Sequence, residues 1–194
     1  MSGMRLYLLR HGRPDVEPGR CYGGTDLDVP MDEHLRVINA NLPLLPRGLP
    51  LYASPLRRCR ELAGMLAQRL GVQAPVLDTR LAEMHFGAWE MQPWDRIPRE
   101  EIDAWAADMA EYRPGNGERV MDVAKRVAGF HADLLAGKTE GAIVVAHAGT
   151  MRLLKECAHG GPVRDIALRA ARSRHGIAYG GLLVLEFAQG NSGQ

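Results

Sequence analysis

Two histidines each follow a short apolar run, and a glycine stands close behind each of them. Arg10-His11-Gly12 comes directly after the apolar residues 6–9, and His147-Ala148-Gly149 comes directly after the apolar residues 143–146. A short apolar run that ends at turn residues is typical of a buried strand. Because the carboxyl ends of parallel strands meet at one edge of a sheet, we expect both histidines at the same edge. An imidazole there can act as a nucleophile or a base, and Arg10 suits an anion.

A third segment, Ser54-Pro55-Leu56-Arg57-Arg58-Cys59, follows the apolar residues 51–53 and opens a helical pattern. We interpret Ser54 as the N-cap and Pro55 as the first helical residue. A helix N-terminus favours anions, and two adjacent arginines add positive charge. Only one of two neighbouring helical arginines is expected to point into a given site. The alternative is an ordinary solvated basic helix start.

A fourth segment, residues 81–90, contains Glu83 among apolar and aromatic side chains. A carboxyl group in such surroundings suits the role of a general acid, which donates a proton to a leaving group. The alternative is a surface carboxylate beside a packed aromatic cluster.

The elements that would position these segments alternate between strand and helix. Strand patterns cover 5–9, 51–53, 76–81, 143–146 and 181–187, and helical patterns cover 31–45, 54–70, 120–134 and 151–158. This alternation predicts an α/β fold with a mostly parallel sheet and helices on both faces. We expect a single domain over 1–194. Residues 86–117, which hold all three tryptophans, are interpreted as a small helical insertion over the site.

Composition narrows the function classes. The chain has 194 residues and a formal net charge of +1, which gives no reason to expect a nucleic-acid or membrane partner. The cysteines at 21, 59 and 157 are odd in number and form no CxxC pair. We therefore expect no disulfide framework, no zinc site and a cytoplasmic location. No apolar run approaches the length of a signal sequence core or a membrane span.

In their order along the chain, the four segments (10–12, 54–59, 81–90 and 147–149) resemble the histidine phosphatase superfamily, in the branch that includes the cofactor-dependent phosphoglycerate mutases. The resemblance implies that His11 is a nucleophile that becomes phosphohistidine and that Glu83 donates a proton to the leaving group. It implies a phosphate pocket built by Arg10, Arg58 and His147. The substrate-binding set that follows from it is Arg10, Gly12, Gly23, Gly24, Arg58, His147 and Ala148. No metal or other cofactor is expected, and the implied partner is a small phosphorylated metabolite.

Phosphatase and mutase can be weighed against each other. Mutases of this family carry Ser or Thr at the position of Pro14, and Asn at the position of Glu17. A glutamate near the phosphate pocket would repel a second anionic group, and the insertion after Glu83 is short for an enzyme that must shield a phosphoenzyme from water. We therefore favour hydrolysis. A mutase and a catalytically silent binding module of the same fold stay open as alternatives.

A narrower resemblance, to α-ribazole phosphatases of cobalamin assembly, rests on residues 18–27, 54–60 and 94–98. It implies α-ribazole 5′-phosphate as the substrate. Trp94, Trp105 and Tyr112 could stack on its base, although they could equally form the core of the insertion. His85 and Leu62 depart from this pattern, because Asp and Thr are common at those two positions.

The triplet recurs as Arg174-His175-Gly176, ahead of the last strand pattern. In a parallel strand this second copy would lie at the opposite edge from His11, whereas an antiparallel edge strand would bring it close. We expect it to be structural or peripheral. The role of Cys21 and the oligomeric state stay open, with a homodimer possible.

Overall fold

The computed structural model describes residues 4–137, 139–173 and 176–187. Within these ranges five strands form one sheet in the order β3-β2-β4-β1-β5. The neighbouring pairs from β3 to β1 are parallel, and β5 pairs antiparallel with β1 at the edge. The predicted mostly parallel sheet is confirmed. The strands are β1 (Met4–Arg10), β2 (Leu51–Ala53), β3 (Val76–Leu77), β4 (Gly141–Ala146) and β5 (Leu182–Phe187).

Helices cover both faces of the sheet, as predicted. They are α1 (Met31–Asn41), α2 (Arg57–Leu70), α3 (Arg99–Ala107), α4 (Val120–Ala136), α5 (Ala148–Ala158) and α6 (Val163–Arg172). The central strand β4 is buried throughout, and its side chains alternate between two cores. Val144 packs in the core that contains α4, α5 and α6, whereas Ile143 and Val145 pack in the core that contains α1 and α2. The sequence analysis assigned no helix to α6.

The register of β1, β2 and β4 brings the carboxyl ends of these strands to one edge of the sheet. We call it the functional edge, because His11, Ser54 and His147 follow the strands there. Arg10 is paired with Ala146, and Ala53 is paired with Val145. The residues that follow these strands, His11, Ser54 and His147, therefore lie close together at this edge. His11 N donates to the carbonyl of Ala146 over 3.2 Å, and Ser54 N donates to that of Val145 over 3.0 Å.

Several predicted boundaries are wrong. The helix predicted over 31–45 ends at Asn41 and is followed by a 3-10 turn, and the helix predicted over 151–158 begins at Ala148. Helix α2 begins at Arg57 rather than at Pro55, because Leu56 is still extended at φ −64° and ψ 138°. Ser54 therefore is not the N-cap, and its buried side chain faces the edge of the sheet instead. The strand predicted over 76–81 ends at Leu77, because the Asp78 side chain accepts from Arg80 N and starts a 3-10 turn.

Residues 86–117 contain α3 and three 3-10 turns, and they pack around a small core of their own. Cys21, from the loop that follows β1, is fully buried in that core beside Trp89 and Ile97. The insertion is thereby attached to the loop that leaves the functional edge. Across the described parts of the chain, no helix has both the length and the apolar character needed to cross a membrane.

Candidate active site

His11 follows β1 and is 2% exposed. Its Nδ1 lies 2.7 Å from the carbonyl oxygen of Gly12. A carbonyl only accepts hydrogen bonds, so Nδ1 carries the proton and Nε2 keeps its lone pair. Burial and the positive charges of Arg58 and Arg10 hold the pKa of His11 well below its ordinary value. The ring is therefore neutral at neutral pH, with Nε2 as a nucleophilic atom.

His147 follows β4, and its ring centroid lies 5.1 Å from that of His11. Arg58 Nε donates to Nδ1 of His147 over 3.2 Å. Because that guanidinium can only donate, Nε2 of His147 carries the proton, and it lies 2.7 Å from the hydroxyl of Ser54. Burial, followed by the charge of Arg58, holds the pKa of His147 well below its ordinary value. The second histidine is thus a neutral donor at the same edge.

Arg58 is fully buried at the start of α2. Besides its bond to His147, its Nη1 donates to the carbonyl of Thr25 over 2.7 Å and its Nη2 to that of Gly23 over 2.5 Å. The neighbouring Arg57 points away and forms surface ion pairs with Asp28 at 2.5 Å and Glu61 at 3.1 Å. Of the two adjacent arginines, only Arg58 enters the site.

Arg10, the last residue of β1, is held from the side of β5. Its Nη1 donates to the carbonyl of Ile177 over 2.6 Å, and its guanidinium carbon lies 3.9 Å from the ring centroid of Tyr179. Its Nε is buried and has no hydrogen-bond partner among the described residues. A buried donor without a partner is costly, so this guanidinium is prepared to receive an anion.

Glu83 reaches the site from the turn after β3. Its Oε1 accepts from Met84 N over 3.1 Å, and its Oε2 accepts from Gly149 N over 3.0 Å. A Cβ at residue 149 would collide with Oε1 of Glu83, so this approach requires glycine. Glu83, Arg10 and Ala148 line one cavity, so the carboxyl group and the arginine border the same space.

The backbone amides of the loop glycines Gly23 and Gly24 face Glu90. The N–H groups of Gly23 and Gly24 donate to the carboxylate of Glu90 over 3.1 and 2.9 Å, so they are already used. The carboxylate also accepts from the backbone and the hydroxyl of Thr25. The loop thus contributes to the site through the carbonyls of Gly23 and Thr25, which hold Arg58. Gly12 contributes its carbonyl to His11.

A cavity of about 550 Å³ extends from Arg10 and Glu83 beneath the insertion. Trp94 and Trp105 both line it, with ring planes 6° apart and centroids separated by 6.4 Å. Trp89 and Tyr112 instead pack within the insertion core. The rest of the apolar lining of the cavity consists of Met84, Phe86, Ile102, Ala106, Met109, Val120, Val123, Leu153, Ala170 and Ala171.

Sequence reasoning missed Tyr179, whose ring centroid lies 5.8 Å from that of His11. The cause is the antiparallel direction of β5, which brings the residues ahead of it to the functional edge. Arg174 and His175 lie outside the described residues, but Gly176 lines a cavity with Arg10. The expectation that the triplet is peripheral is therefore wrong for Gly176, the one triplet residue that the structure describes. Sequence reasoning also gave Glu90 no role, although the glutamate ends the Phe-Gly-x-Trp-Glu motif.

Neither metal nor thiol chemistry is suggested by the groups near the site. Within the described parts of the chain, no three His, Cys, Asp or Glu side chains are placed to hold a metal ion. Burial raises the pKa of Cys21 to about 12, so its thiol stays protonated. Cys21 is therefore a packing residue of the insertion core.

Comparisons with known proteins agree with this arrangement. The model of the histidine phosphatase superfamily, branch 1, matches residues 6–191. A glucosyl-3-phosphoglycerate phosphatase of Mycobacterium tuberculosis is 33% identical over 79% of this chain and 74% of its own length. An adenosylcobalamin/alpha-ribazole phosphatase of Salmonella typhimurium is 30% identical over 78% of this chain and 77% of its own.

Solved structures show the same fold. A mycobacterial glucosyl-3-phosphoglycerate phosphatase, solved as a complex with VO3, superposes with a TM-score of 0.78 at 27% identity. The match covers 94% of this chain and 92% of that one. Because the family model spans nearly the whole sequence, this chain belongs to the histidine phosphatase superfamily, branch 1.

Proposed function

We propose that this chain hydrolyses phosphomonoesters through a phosphohistidine at His11. The observation that carries the proposal is the neutral His11, whose Nε2 lone pair is free and whose ring lies between Arg10, Arg58 and His147. A phosphomonoester dianion needs fixed positive charge around the transferring group, and the two guanidinium groups supply it.

The reaction proceeds in two displacements. Nε2 of His11 attacks phosphorus, the P–O bond to the alcohol breaks, and Glu83 gives its proton to the departing oxygen. A water molecule then attacks the phosphorus, Glu83 takes its proton, and the P–N bond breaks to release inorganic phosphate and His11. The carbonyl of Gly12 keeps the proton of His11 on Nδ1 during both steps.

Hydrolysis is favoured over phosphoryl transfer between two sites on a substrate. The curated relatives described above are named as phosphatases. Glu17, however, does not supply the repulsion that the sequence suggests. It is 75% exposed and paired with Arg20, whose Nε lies 2.9 Å from it. The preference therefore rests on the short insertion and the relatives. A direct assay of phosphoglycerate interconversion tests the mutase alternative.

Hydrolysis of p-nitrophenyl phosphate tests the nucleophile. The wild-type chain is expected to be active, and His11→Ala is expected to lose that activity. His159→Ala is the matched control, because His159 is exposed at the C-terminal end of α5. Quenching turnover in alkali, where a P–N bond survives, should trap phosphate on the wild type alone. Equal measurable rates in wild type and His11→Ala would contradict the assignment of His11 as the nucleophile, whereas no activity in the wild type would support the silent binding module.

The cavity supports a ring-bearing alcohol as the leaving group, and α-ribazole 5′-phosphate is our candidate substrate. The aromatic rings of Trp94 and Trp105 offer stacking surfaces beside Glu83. A panel of phosphomonoesters should include this compound, glucosyl-3-phosphoglycerate and glycerol phosphate. We expect the highest kcat/KM for α-ribazole 5′-phosphate and a selective loss in Trp105→Ala. A preference for glucosyl-3-phosphoglycerate would contradict the stacking argument.

The cellular setting we propose is the cytoplasm, with a small phosphorylated metabolite as the partner. Cys21, Cys59 and Cys157 are buried free thiols, which suits a reducing compartment. A fractionation experiment with tagged protein tests this location.

A further inference from the structure

Two tyrosines meet above the proposed nucleophile. The hydroxyl oxygens of Tyr22 and Tyr179 lie 2.5 Å apart. Tyr22 belongs to the loop between β1 and α1, and Tyr179 belongs to the segment that enters β5. Their hydrogen bond joins two segments that are separated by 157 positions in the sequence, across the edge where His11 lies.

Each tyrosine also faces one of the two pocket arginines. The guanidinium carbon of Arg10 lies 3.9 Å from the ring centroid of Tyr179, within the range of a cation–π interaction. The guanidinium carbon of Arg58 lies 5.7 Å from the ring centroid of Tyr22. The positive charges that we assign to phosphate binding are therefore each covered by an aromatic ring, and the two rings are connected through their hydroxyl groups.

The proton count of this pair leaves one donor unused. Two phenolic hydroxyls carry two protons, and their mutual hydrogen bond uses one of them. Neither hydroxyl has another hydrogen-bond partner within the described residues. Tyr22 lines the cavity that contains Arg10 and Glu83, whereas Tyr179 lines a separate cleft with Arg13 and Glu33. Of the two tyrosines, Tyr22 is thus the one that lines the reaction cavity.

We infer that Tyr22 is a further substrate-binding residue, whose hydroxyl donates to an oxygen of the bound phosphoryl group while it accepts from Tyr179. The inference rests on the proposed function, because it assigns the phosphoryl group to the pocket of Arg10 and Arg58. Tyr179 is a positioning residue in two respects. Its hydroxyl orients Tyr22, and its ring holds Arg10. A donor that also accepts a hydrogen bond is polarised and becomes a stronger donor.

The protonation state agrees with this role. Burial, followed by the hydrogen bond to Tyr179, raises the pKa of Tyr22 above its ordinary value, so the phenol keeps its proton at neutral pH. A neutral donor adds a hydrogen bond to the anion while adding no further charge to that of the two arginines.

The test measures inorganic phosphate binding by calorimetry and turnover of p-nitrophenyl phosphate in the same variants. Tyr22→Phe should weaken phosphate binding about tenfold, the effect of losing one hydrogen bond to a charged group. Tyr179→Phe should weaken it less, because the ring and the Tyr22 donor remain. The double variant should match Tyr22→Phe within about twofold, since the two hydroxyls act in series. Tyr179→Leu should raise KM further than Tyr179→Phe, because it removes the ring that holds Arg10.

Tyr52→Phe is the control, because Tyr52 packs on Phe130 in the core, away from the site. It should bind phosphate like the wild type. The inference would be overturned if Tyr22→Phe bound phosphate as tightly as the wild type does. It would also be overturned if the losses of phosphate affinity in the two single variants multiplied in the double variant. These outcomes leave the proposed function intact. That function would fail separately if wild type and His11→Ala hydrolysed the ester equally fast.

Discussion

Nε of Arg58 lies 3.2 Å from Nδ1 of His147, so the arginine that we assign to phosphate binding also fixes the tautomer of the second histidine. A guanidinium has five N–H donors, and three of those of Arg58 go to His147, Gly23 and Thr25. Two donors remain for an anion, which is the number that a bidentate contact with phosphate uses. The position of the guanidinium is thus determined before substrate arrives.

Arg58→Lys should therefore lower kcat/KM for p-nitrophenyl phosphate by at least about 100-fold, or roughly 3 kcal/mol of transition-state stabilisation. Lysine keeps the charge, but it cannot hold His147 and two carbonyls while binding phosphate bidentately. Arg57→Lys is the matched control, because the side chain of Arg57 forms ion pairs at the surface, outside the site. The kcat/KM of this variant should stay within about twofold of that of the wild type. Wild-type activity in Arg58→Lys would show that only the charge at this position matters, and similar losses in both variants would show that the effect is not specific to the Arg58 position.

The functional edge could be predicted from the sequence because it depends on local patterns. An apolar run followed by His and Gly places His11 and His147 after parallel strands, and the structure brings their rings together. The direction of β5 could not be predicted in this way. Alternation of apolar and polar residues is the same in a parallel and an antiparallel strand, so the pattern does not reveal which end lies at the site. Tyr179 was missed for that reason.

The contact between Glu90 and the loop glycines could not be predicted for a different physical reason. Only the folded chain shows that the carboxylate of Glu90 accepts from the amides of Gly23 and Gly24. The contact joins residues more than sixty positions apart, and no local period encodes it. Burial acts to raise the pKa of this half-buried carboxyl, but hydrogen bonds from the backbone amides of Phe86, Gly24 and Gly23 and from the hydroxyl of Thr25 outweigh it and hold the pKa of Glu90 below its ordinary value.

Glu83→Gln should slow esters with poor leaving groups far more than p-nitrophenyl phosphate. An alkoxide needs a proton as it departs, whereas nitrophenolate does not, and glutamine cannot supply one. We expect a loss of about 100-fold or more for glycerol phosphate and less than about tenfold for p-nitrophenyl phosphate, in line with the contribution of a general acid. Equal losses with both substrates would exclude Glu83 as the proton donor.

Gly149→Ala should reproduce the same leaving-group signature without altering an ionisable group. The new Cβ would collide with the carboxylate of Glu83 and disturb the bond that Glu83 accepts from the residue 149 amide. The position of the acid would change, while His11 and Arg58 stay in place. Gly64→Ala is the control, because a Cβ at this position in α2 meets no atom within 4 Å. The prediction fails if Gly149→Ala hydrolyses glycerol phosphate as fast as the wild type does.

Acid should destabilise the fold through the same two histidines that serve the site. The pKa of His147 is lowered in the folded state by burial and by Arg58, whereas an unfolded histidine has a pKa of about 6.5. Below about pH 6.5 the His147 ring binds a proton in the unfolded chain, whereas it stays neutral in the folded chain. The stability contribution is therefore complete above about pH 6.5 and is lost as the pH falls further.

Each such histidine adds up to about 1.4 kcal/mol per pH unit to the slope of unfolding free energy against pH. Denaturant titrations between about pH 7 and 5 should show a shallower slope for His147→Gln than for wild type, by about one proton, while the exposed Gln68→Ala keeps the wild-type slope. An unchanged slope in His147→Gln would show that this ring accepts a proton in the folded chain, and it would remove the basis for treating His147 as a neutral donor.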